Sequence, residues 1–138
     1  MIQPMTIGLD ADGVLLNYNL AWGAIWQEAY DQTPICLEPR AYHATNYWGL
    51  SIPEQGHPFW DLFDQKGWKN MPAMRGAVLA CRRLAAAGHR LVCVTSMPTH
   101  RQEDRLTNLQ ALGFPIHEVV ATGNGIGDGS NPKRTAIE

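Results

Sequence analysis

The chain has 138 residues, of which 45% are hydrophobic and 17% charged, and its formal net charge is −2. These values are typical of one globular domain with a buried core, and so weak a charge gives no reason to expect binding to nucleic acid or to a membrane surface. Three cysteines without a CxxC pair indicate reduced thiols and a cytoplasmic protein. No stretch approaches the ~20 apolar residues of a membrane span, and no signal peptide is expected.

The first predicted strand enters through Thr6 and Ile7 and stops at two carboxylates, Asp10 and Asp12, which Gly13 follows. An apolar run that ends abruptly at acids and glycine is typical of a buried strand. In an open parallel sheet, ligands bind at the carboxyl edge of the strands. We therefore expect Asp10 and Asp12 to belong to a functional site.

Residues 17–72 form a predicted helical cap that is inserted after this strand. Apolar and aromatic residues at spacings of three and four predict a first helix over residues 17–31. Prolines and glycines break regular structure over residues 33–58, and a short helix is expected from Phe59 to near Gly67. The high aromatic content indicates a folded insertion and not a linker.

Residues 1–16 and 73–138 form the predicted α/β core. Its later elements are expected, in chain order, to be a helix over 76–87, a strand over 90–94, a helix over 99–112 and a strand over 118–121. Gly88 is the predicted stop of the first of these helices, and Thr99 with Gln102 forms a capping-box pattern for the second. Strands that alternate with helices predict a doubly wound parallel sheet.

Five side chains are expected at the carboxyl edge of this sheet: Asp10, Asp12, Thr95, Ser96 and Lys133. A carboxylate can attack phosphorus, and a second acid can transfer the proton. Mg²⁺ is held by one or two carboxylates together with phosphate and water, while a hydroxyl and an ammonium group stabilise the transferring oxygens. This combination of groups favours phosphoryl transfer.

The segment from Asp10 to Val14 reads Asp-Ala-Asp-Gly-Val and resembles motif I, DxDGV, of the haloacid dehalogenase (HAD) superfamily of phosphohydrolases. Residues 92–95 resemble motif II, an apolar strand that ends in Thr or Ser, and Lys133 is the candidate for the lysine of motif III. The resemblance implies a Rossmann-like core. It also implies that Asp10 is the nucleophile and a magnesium ligand, and that Asp12 is the general acid/base, with its backbone carbonyl on the metal. Thr95, Ser96 and Lys133 would bind the phosphoryl group.

Within the superfamily, the insertion resembles the small helical cap of the 5′-nucleotidase/deoxyribonucleotidase group. Thr95-Ser96-Met97-Pro98 is similar to the Thr-Ser-Pro of that group. The resemblance implies a magnesium-dependent phosphohydrolase that forms an aspartyl phosphate and acts on a small phosphate monoester, with a nucleotide among the candidates. Cap aromatics could stack on a base, although such residues more often belong to the core.

The acidic pair of motif IV has no counterpart on a fourth strand before Glu138. A second interpretation takes residues 127–131, with Asp128, as motif IV, in which case the lysine of motif III is missing. Some branches of the superfamily carry the pattern GDGxND as motif IV. Lys133 is favoured as motif III, because Pro132 stands where those branches have the final aspartate and because no apolar strand leads into Gly127.

Without a fourth strand, the first strand is an exposed sheet edge. This predicts either that the sequence is a truncated version of a longer protein or that a homo-oligomer covers the edge. With one carboxylate fewer, magnesium is expected to bind weakly. The alternative function is a catalytically impaired HAD-like domain that binds a ligand or partner without turnover.

Overall fold

The computed structural model describes residues 3–123, so Lys133 and Asp128 lie outside the described residues. The elements, in chain order, are β1 (Thr6–Leu9), α1 (Tyr18–Tyr30), α2 (Ala44–Trp48), α3 (Pro58–Lys66), a 3-10 turn (Gly67–Lys69), α4 (Ala77–Ala86), β2 (Arg90–Thr95), a second 3-10 turn (Thr99–Arg101), α5 (Gln102–Ala111) and β3 (Val119–Ala121). Over this range, no helix combines the length and the apolar character that crossing a membrane requires.

The three strands form one parallel sheet in the order β1-β2-β3. Leu9 of β1 pairs with Cys93 of β2, and Cys93 pairs in turn with Val119 of β3. The central strand β2 is buried from Leu91 to Thr95, as expected for a parallel strand that is covered on both faces. The predicted α/β class with a parallel sheet is thus confirmed, and among residues 3–123 β1 lies at the edge of the sheet.

Local sequence signals account for the start of α1 and the end of α4. The side chain of Asn17 caps α1 by accepting a hydrogen bond from the Leu20 amide at 3.1 Å. After α4, Gly88 adopts a φ of 97°, which an L-residue rarely tolerates, so the helix cannot continue. The predicted helices over 17–31 and 76–87 are confirmed to within one residue at each end.

The predicted capping box at Thr99 and Gln102 is wrong. Thr99 begins the second 3-10 turn, α5 begins only at Gln102, and neither element has a side-chain cap hydrogen bond. The side-chain oxygen of Gln102 accepts a hydrogen bond from the Ala121 amide at 3.0 Å instead. This glutamine therefore ties the start of α5 to the end of β3.

One cluster of buried hydrophobic side chains includes residues from the sheet and from the predicted cap. Cys93 and Leu109 belong to it on the core side, and Trp22, Trp26 and Phe59 belong to it on the side of residues 17–72. The rings of Trp22 and Phe59 lie 4.9 Å apart between centroids. These cap aromatics are therefore core residues, in one buried cluster with side chains of the sheet and of α5.

Candidate active site

The chain turns sharply as it leaves β1, and this turn carries both predicted carboxylates. The amides of Val14, Leu15 and Leu16 all donate to the carbonyl oxygen of the buried Ala11, at 2.9–3.1 Å. Gly13 has a φ of 78° within this turn, which explains the glycine of the motif. Asp10 and Asp12 therefore flank Ala11 at the carboxyl end of β1.

Asp10 is the first residue after β1 and is half-buried. Its Oδ1 accepts a hydrogen bond from the Ala11 amide at 2.8 Å. The backbone of the turn thus helps to orient this carboxylate at the edge of the sheet.

Thr95 and Ser96 reach the same edge from β2. Thr95 lies two residues beyond Cys93, which pairs with the last residue of β1, Leu9. Its side chain is fully buried, and its Oγ1 has no hydrogen-bond partner among residues 3–123. Because buried hydroxyls are normally satisfied, this one is a candidate donor to a bound ligand.

A cavity of about 680 Å³ opens beside the turn. Asp12 and Ser96 line it from the sheet side, and Arg40, Tyr42 and Tyr47 line it from the insertion. The volume lies within the range of sites that bind small molecules. The cavity thus brings a predicted acid and a predicted hydroxyl together with aromatic and basic side chains of the cap.

Tyr18, the first residue of α1, also lines this cavity. Burial and, to a smaller extent, the nearby Asp12 carboxylate together raise the pKa of its hydroxyl to about 12, against the opposing effect of Arg105. The Tyr18 hydroxyl therefore keeps its proton at neutral pH and can donate a hydrogen bond inside the cavity.

Sequence reasoning missed Arg105, which contacts Asp12 directly. Its Nη1 donates to Oδ1 of Asp12 at 2.9 Å, and its side chain is fully buried. One sequence signal pointed to it. Arg105 lies four residues before Leu109 and therefore on the same side of α5 as this apolar residue, and Asn108 lies three residues after Arg105. Polar residues on the side of a helix that faces the core need a specific partner.

His100 and Arg101 lie in the second 3-10 turn, shortly after the end of β2. The structure places both against Asp64 of α3: Arg101 donates to Asp64 Oδ2 at 2.7 Å from Nη2, and the His100 ring lies 3.2 Å from Oδ1. These contacts link the insertion to the chain segment after β2.

The described residues offer magnesium a small set of hard oxygen donors. Among residues 3–123, no three His, Cys, Asp or Glu side chains come together as a metal site. The Asp10 carboxylate and the Asp12 backbone carbonyl are nevertheless the type of donor that Mg²⁺ takes, since this ion commonly keeps several waters and binds substrate phosphate. These two oxygen donors would therefore suit a metal ion that takes most of its other ligands from water and substrate.

A hydrolase from Streptococcus pneumoniae TIGR4 shares this fold, with a TM-score of 0.57 and 17% identity, over 99% of this chain and 76% of that one. A predicted phosphoglycolate phosphatase from Haemophilus somnus 129pt matches with a TM-score of 0.48 and 19% identity, over 90% of this chain and 64% of that one. A search of curated proteins finds no match.

The first strand of this parallel sheet leads directly into Asp-Ala-Asp-Gly-Val beside the cavity, which is the arrangement of a HAD-like hydrolase. The family model described as 5′ nucleotidase, deoxy (Pyrimidine), cytosolic type C protein matches residues 3–112. The chain therefore belongs to this family, and with it to the phosphatase class of hydrolases. Four predicted site residues, Asp10, Asp12, Thr95 and Ser96, lie within the matched range.

Proposed function

We propose that this chain hydrolyses a small phosphate monoester through an aspartyl-phosphate intermediate, with Mg²⁺ as cofactor. The observation that carries the proposal is one juxtaposition at the carboxyl edge of the sheet. Asp10 and Asp12 lie there with the buried hydroxyl of Thr95, which has no hydrogen-bond partner within residues 3–123, next to a cavity of about 680 Å³. In this proposal, the ends of two neighbouring strands supply the nucleophile, the group that transfers the proton and a hydrogen-bond donor to the phosphate.

The proposed reaction has two steps. In the first, a carboxylate oxygen of Asp10 attacks phosphorus, the bond from phosphorus to the ester oxygen breaks, and that oxygen takes the proton of the Asp12 carboxyl group. In the second, the Asp12 carboxylate takes a proton from water, and the water oxygen attacks phosphorus and breaks the bond to Asp10. One water is consumed, alcohol and phosphate leave, and both residues regain their starting form.

Other groups of the chain stabilise the phosphoryl oxygens in this scheme. The hydroxyl groups of Thr95 and Ser96 donate hydrogen bonds to them. Lys133, which lies outside the described residues, is proposed as the cationic partner of the same oxygens. Mg²⁺, held by the Asp10 carboxylate and the Asp12 backbone carbonyl, supplies positive charge that offsets the repulsion between nucleophile and substrate.

A nucleotide is the first candidate substrate. The cavity is lined by Tyr42 and Tyr47, whose rings could stack on a base, and by Arg40, which could contact a second anionic or polar group. The family description names deoxy and pyrimidine 5′-nucleotidases. We therefore propose a pyrimidine deoxynucleoside monophosphate as the preferred substrate.

We further propose a cytoplasmic location. The family description contains the word cytosolic, and Cys81 and Cys93 are buried, as expected for thiols kept reduced inside the cell.

The test is release of inorganic phosphate from p-nitrophenyl phosphate and from dUMP, with and without Mg²⁺. Asp10→Asn should lower kcat roughly 10³-fold or more, since it removes the nucleophile. Asp61→Asn is the matched control, because Asp61 is an exposed acid on α3 and its loss should leave kcat unchanged.

Equal rates in the wild type and in Asp10→Asn would contradict the proposal. If neither protein turns over substrate but the wild type binds phosphate or dUMP in calorimetry, the chain is the binding domain without turnover that the sequence analysis gave as the alternative.

A further inference from the structure

Arg105 is fully buried, a position that arginine almost never takes unless it is paired. One of its nitrogens, Nη1, donates to Asp12, while Nε and Nη2 have no hydrogen-bond partner among residues 3–123. The guanidinium lies over the ring of Trp68, with 5.4 Å from Cζ to the ring centroid. Its charge is therefore balanced by one carboxylate and one aromatic face.

The helix that carries Arg105 is fixed against the end of the predicted cap. Asn108, almost one turn further along α5, donates to the Met71 carbonyl at 2.9 Å and accepts from the Met71 amide at 2.7 Å. Met71 follows the 3-10 turn that contains Trp68. The helix segment that carries Arg105 and the chain segment that carries Trp68 are thus held against each other.

This ion pair is a poor device for stabilising the fold. Burying the Arg105 charge costs free energy that its attraction to the partly exposed Asp12 must first offset, and a well-packed apolar replacement is often neutral or stabilising. Two donor nitrogens of Arg105 that find no partner among residues 3–123 add to the cost. What arginine supplies, and an apolar residue cannot, is a directional hydrogen bond to one oxygen of Asp12.

We propose that Arg105 is a positioning residue that holds the Asp12 carboxyl group in the orientation required for proton transfer, with Trp68 supporting the guanidinium. Asp12 lines the cavity, whereas Arg105 is fully buried. Arg105 therefore acts through Asp12 and does not touch the substrate. This inference rests on the proposed function, in which Asp12 carries the proton.

Steady-state kinetics with p-nitrophenyl phosphate and Mg²⁺ test the inference in Arg105→Met and Arg105→Lys. Arg105→Met should lower kcat roughly 10- to 100-fold, as misplaced catalytic groups do, and should leave KM nearly unchanged. Arg105→Lys keeps a donor and should recover part of the loss. Arg82→Met is the matched control, because Arg82 donates to the Gly113 carbonyl on the surface and is remote from Asp12.

Crystal structures of the wild type and Arg105→Met supply a readout that does not need activity. The Asp12 side chain should hold one rotamer in the wild type and should change rotamer, or split between two, in the variant. Wild-type kcat in Arg105→Met, an equal loss in Arg82→Met, or an unchanged Asp12 rotamer would each overturn the inference. If Asp10→Asn and wild type release phosphate equally, the proposed function fails, and the Asp12 rotamer alone decides whether Arg105 positions this group.

Discussion

The carboxyl edge of the sheet and the aromatic cap are held in place by different forces. At the edge, backbone pairing sets the geometry: the register of Leu9 with Cys93 carries Asp10 and Thr95 to the same end of neighbouring strands. In the cap, side chains set the geometry, since the rings of Trp22 and Phe59 pack together and are almost completely buried. In the proposed reaction, the reacting side chains thus lie at the end of paired strands, and the side chains that line the cavity from residues 17–72 lie on the part held by side-chain packing.

This difference explains how the two parts can respond differently to substitution. A strand pairs through main-chain groups that every residue except proline provides, so the edge tolerates side-chain changes that leave the register intact. The cap has no comparable backbone framework over residues 31–43, between α1 and α2. Its position depends on the volume and shape of a few rings.

The largest effect is expected from Phe59→Ala in the cap. Phe59 is fully buried, and its ring lies 4.9 Å from the rings of both Trp22 and Trp60. Truncation should lower the free energy of unfolding by about 3–5 kcal/mol, because it leaves a cavity in the shared cluster. Chemical denaturation followed by tryptophan fluorescence and by far-ultraviolet circular dichroism measures this loss.

Tyr42→Ala is the control for this substitution, since Tyr42 is 74% exposed; it should change stability by no more than about 0.5 kcal/mol. The two probes should give one coincident transition, as expected if cap and sheet share one core. A fluorescence transition that precedes the loss of circular dichroism would show instead that the cap unfolds by itself.

The same contrast governs what the sequence could predict. The edge residues Asp10 and Thr95 were predicted because strand and stop signals are local: an apolar run, then acids or hydroxyls, then glycine or a helix start. The helices over 17–31 and 76–87 were likewise predicted from the spacing of apolar residues and from Gly88. Neither the edge residues nor these helices depend on a contact with residues far away in the sequence.

The Arg105–Asp12 contact could not be predicted in the same way, because 93 positions separate the two residues. Arginine is a residue type that usually lies on the surface of a helix, and only the spacing of Arg105 to the buried Leu109 indicates otherwise. The capping box at Thr99 failed for a related reason. Gln102 is engaged by the Ala121 amide of β3, a tertiary contact that overrides a local pattern.

A smaller effect is expected at β1, which is the outermost strand of the sheet among residues 3–123. We propose that a second copy of the chain covers this strand. Thr6 is exposed on β1 and pairs with Arg90 on β2. Thr6→Glu should weaken self-association, because a charge on an edge strand opposes pairing with another strand. The expected rise in the dissociation constant is roughly tenfold, about 1.4 kcal/mol.

Size-exclusion chromatography with light scattering over a range of concentrations measures this association. Gln55→Glu adds the same charge in an exposed turn outside the sheet and should leave the association unchanged. A wild-type protein that stays monomeric at every concentration would contradict the proposal.

The smallest effect is expected at the contact between Asp64 of α3 and Arg101 after β2. Arg101 donates to both carboxylate oxygens, from Nε at 3.1 Å and from Nη2 at 2.7 Å. These hydrogen bonds lower the pKa of Asp64, and burial, which opposes them, is outweighed; His100 lowers it further. A lowered pKa in the folded state means that the contact contributes stability above the unfolded-state value, near 3.8, and loses it as the pH falls through the folded-state value.

Thermal unfolding of the wild type and Asp64→Asn, measured from neutral pH down to pH 3, tests this assignment. The variant should be slightly less stable at neutral pH, and the difference should vanish in acid and shrink in high salt, because both side chains are partly exposed to solvent. Arg101→Met should have a similar or slightly larger effect, because Arg101 also donates to Asp104. The double variant should lose less stability than the sum of the two single losses, since the Asp64–Arg101 contact is counted in both. Fully additive losses would show that Asp64 and Arg101 act independently and that this pair does not help to hold α3 to the segment after β2.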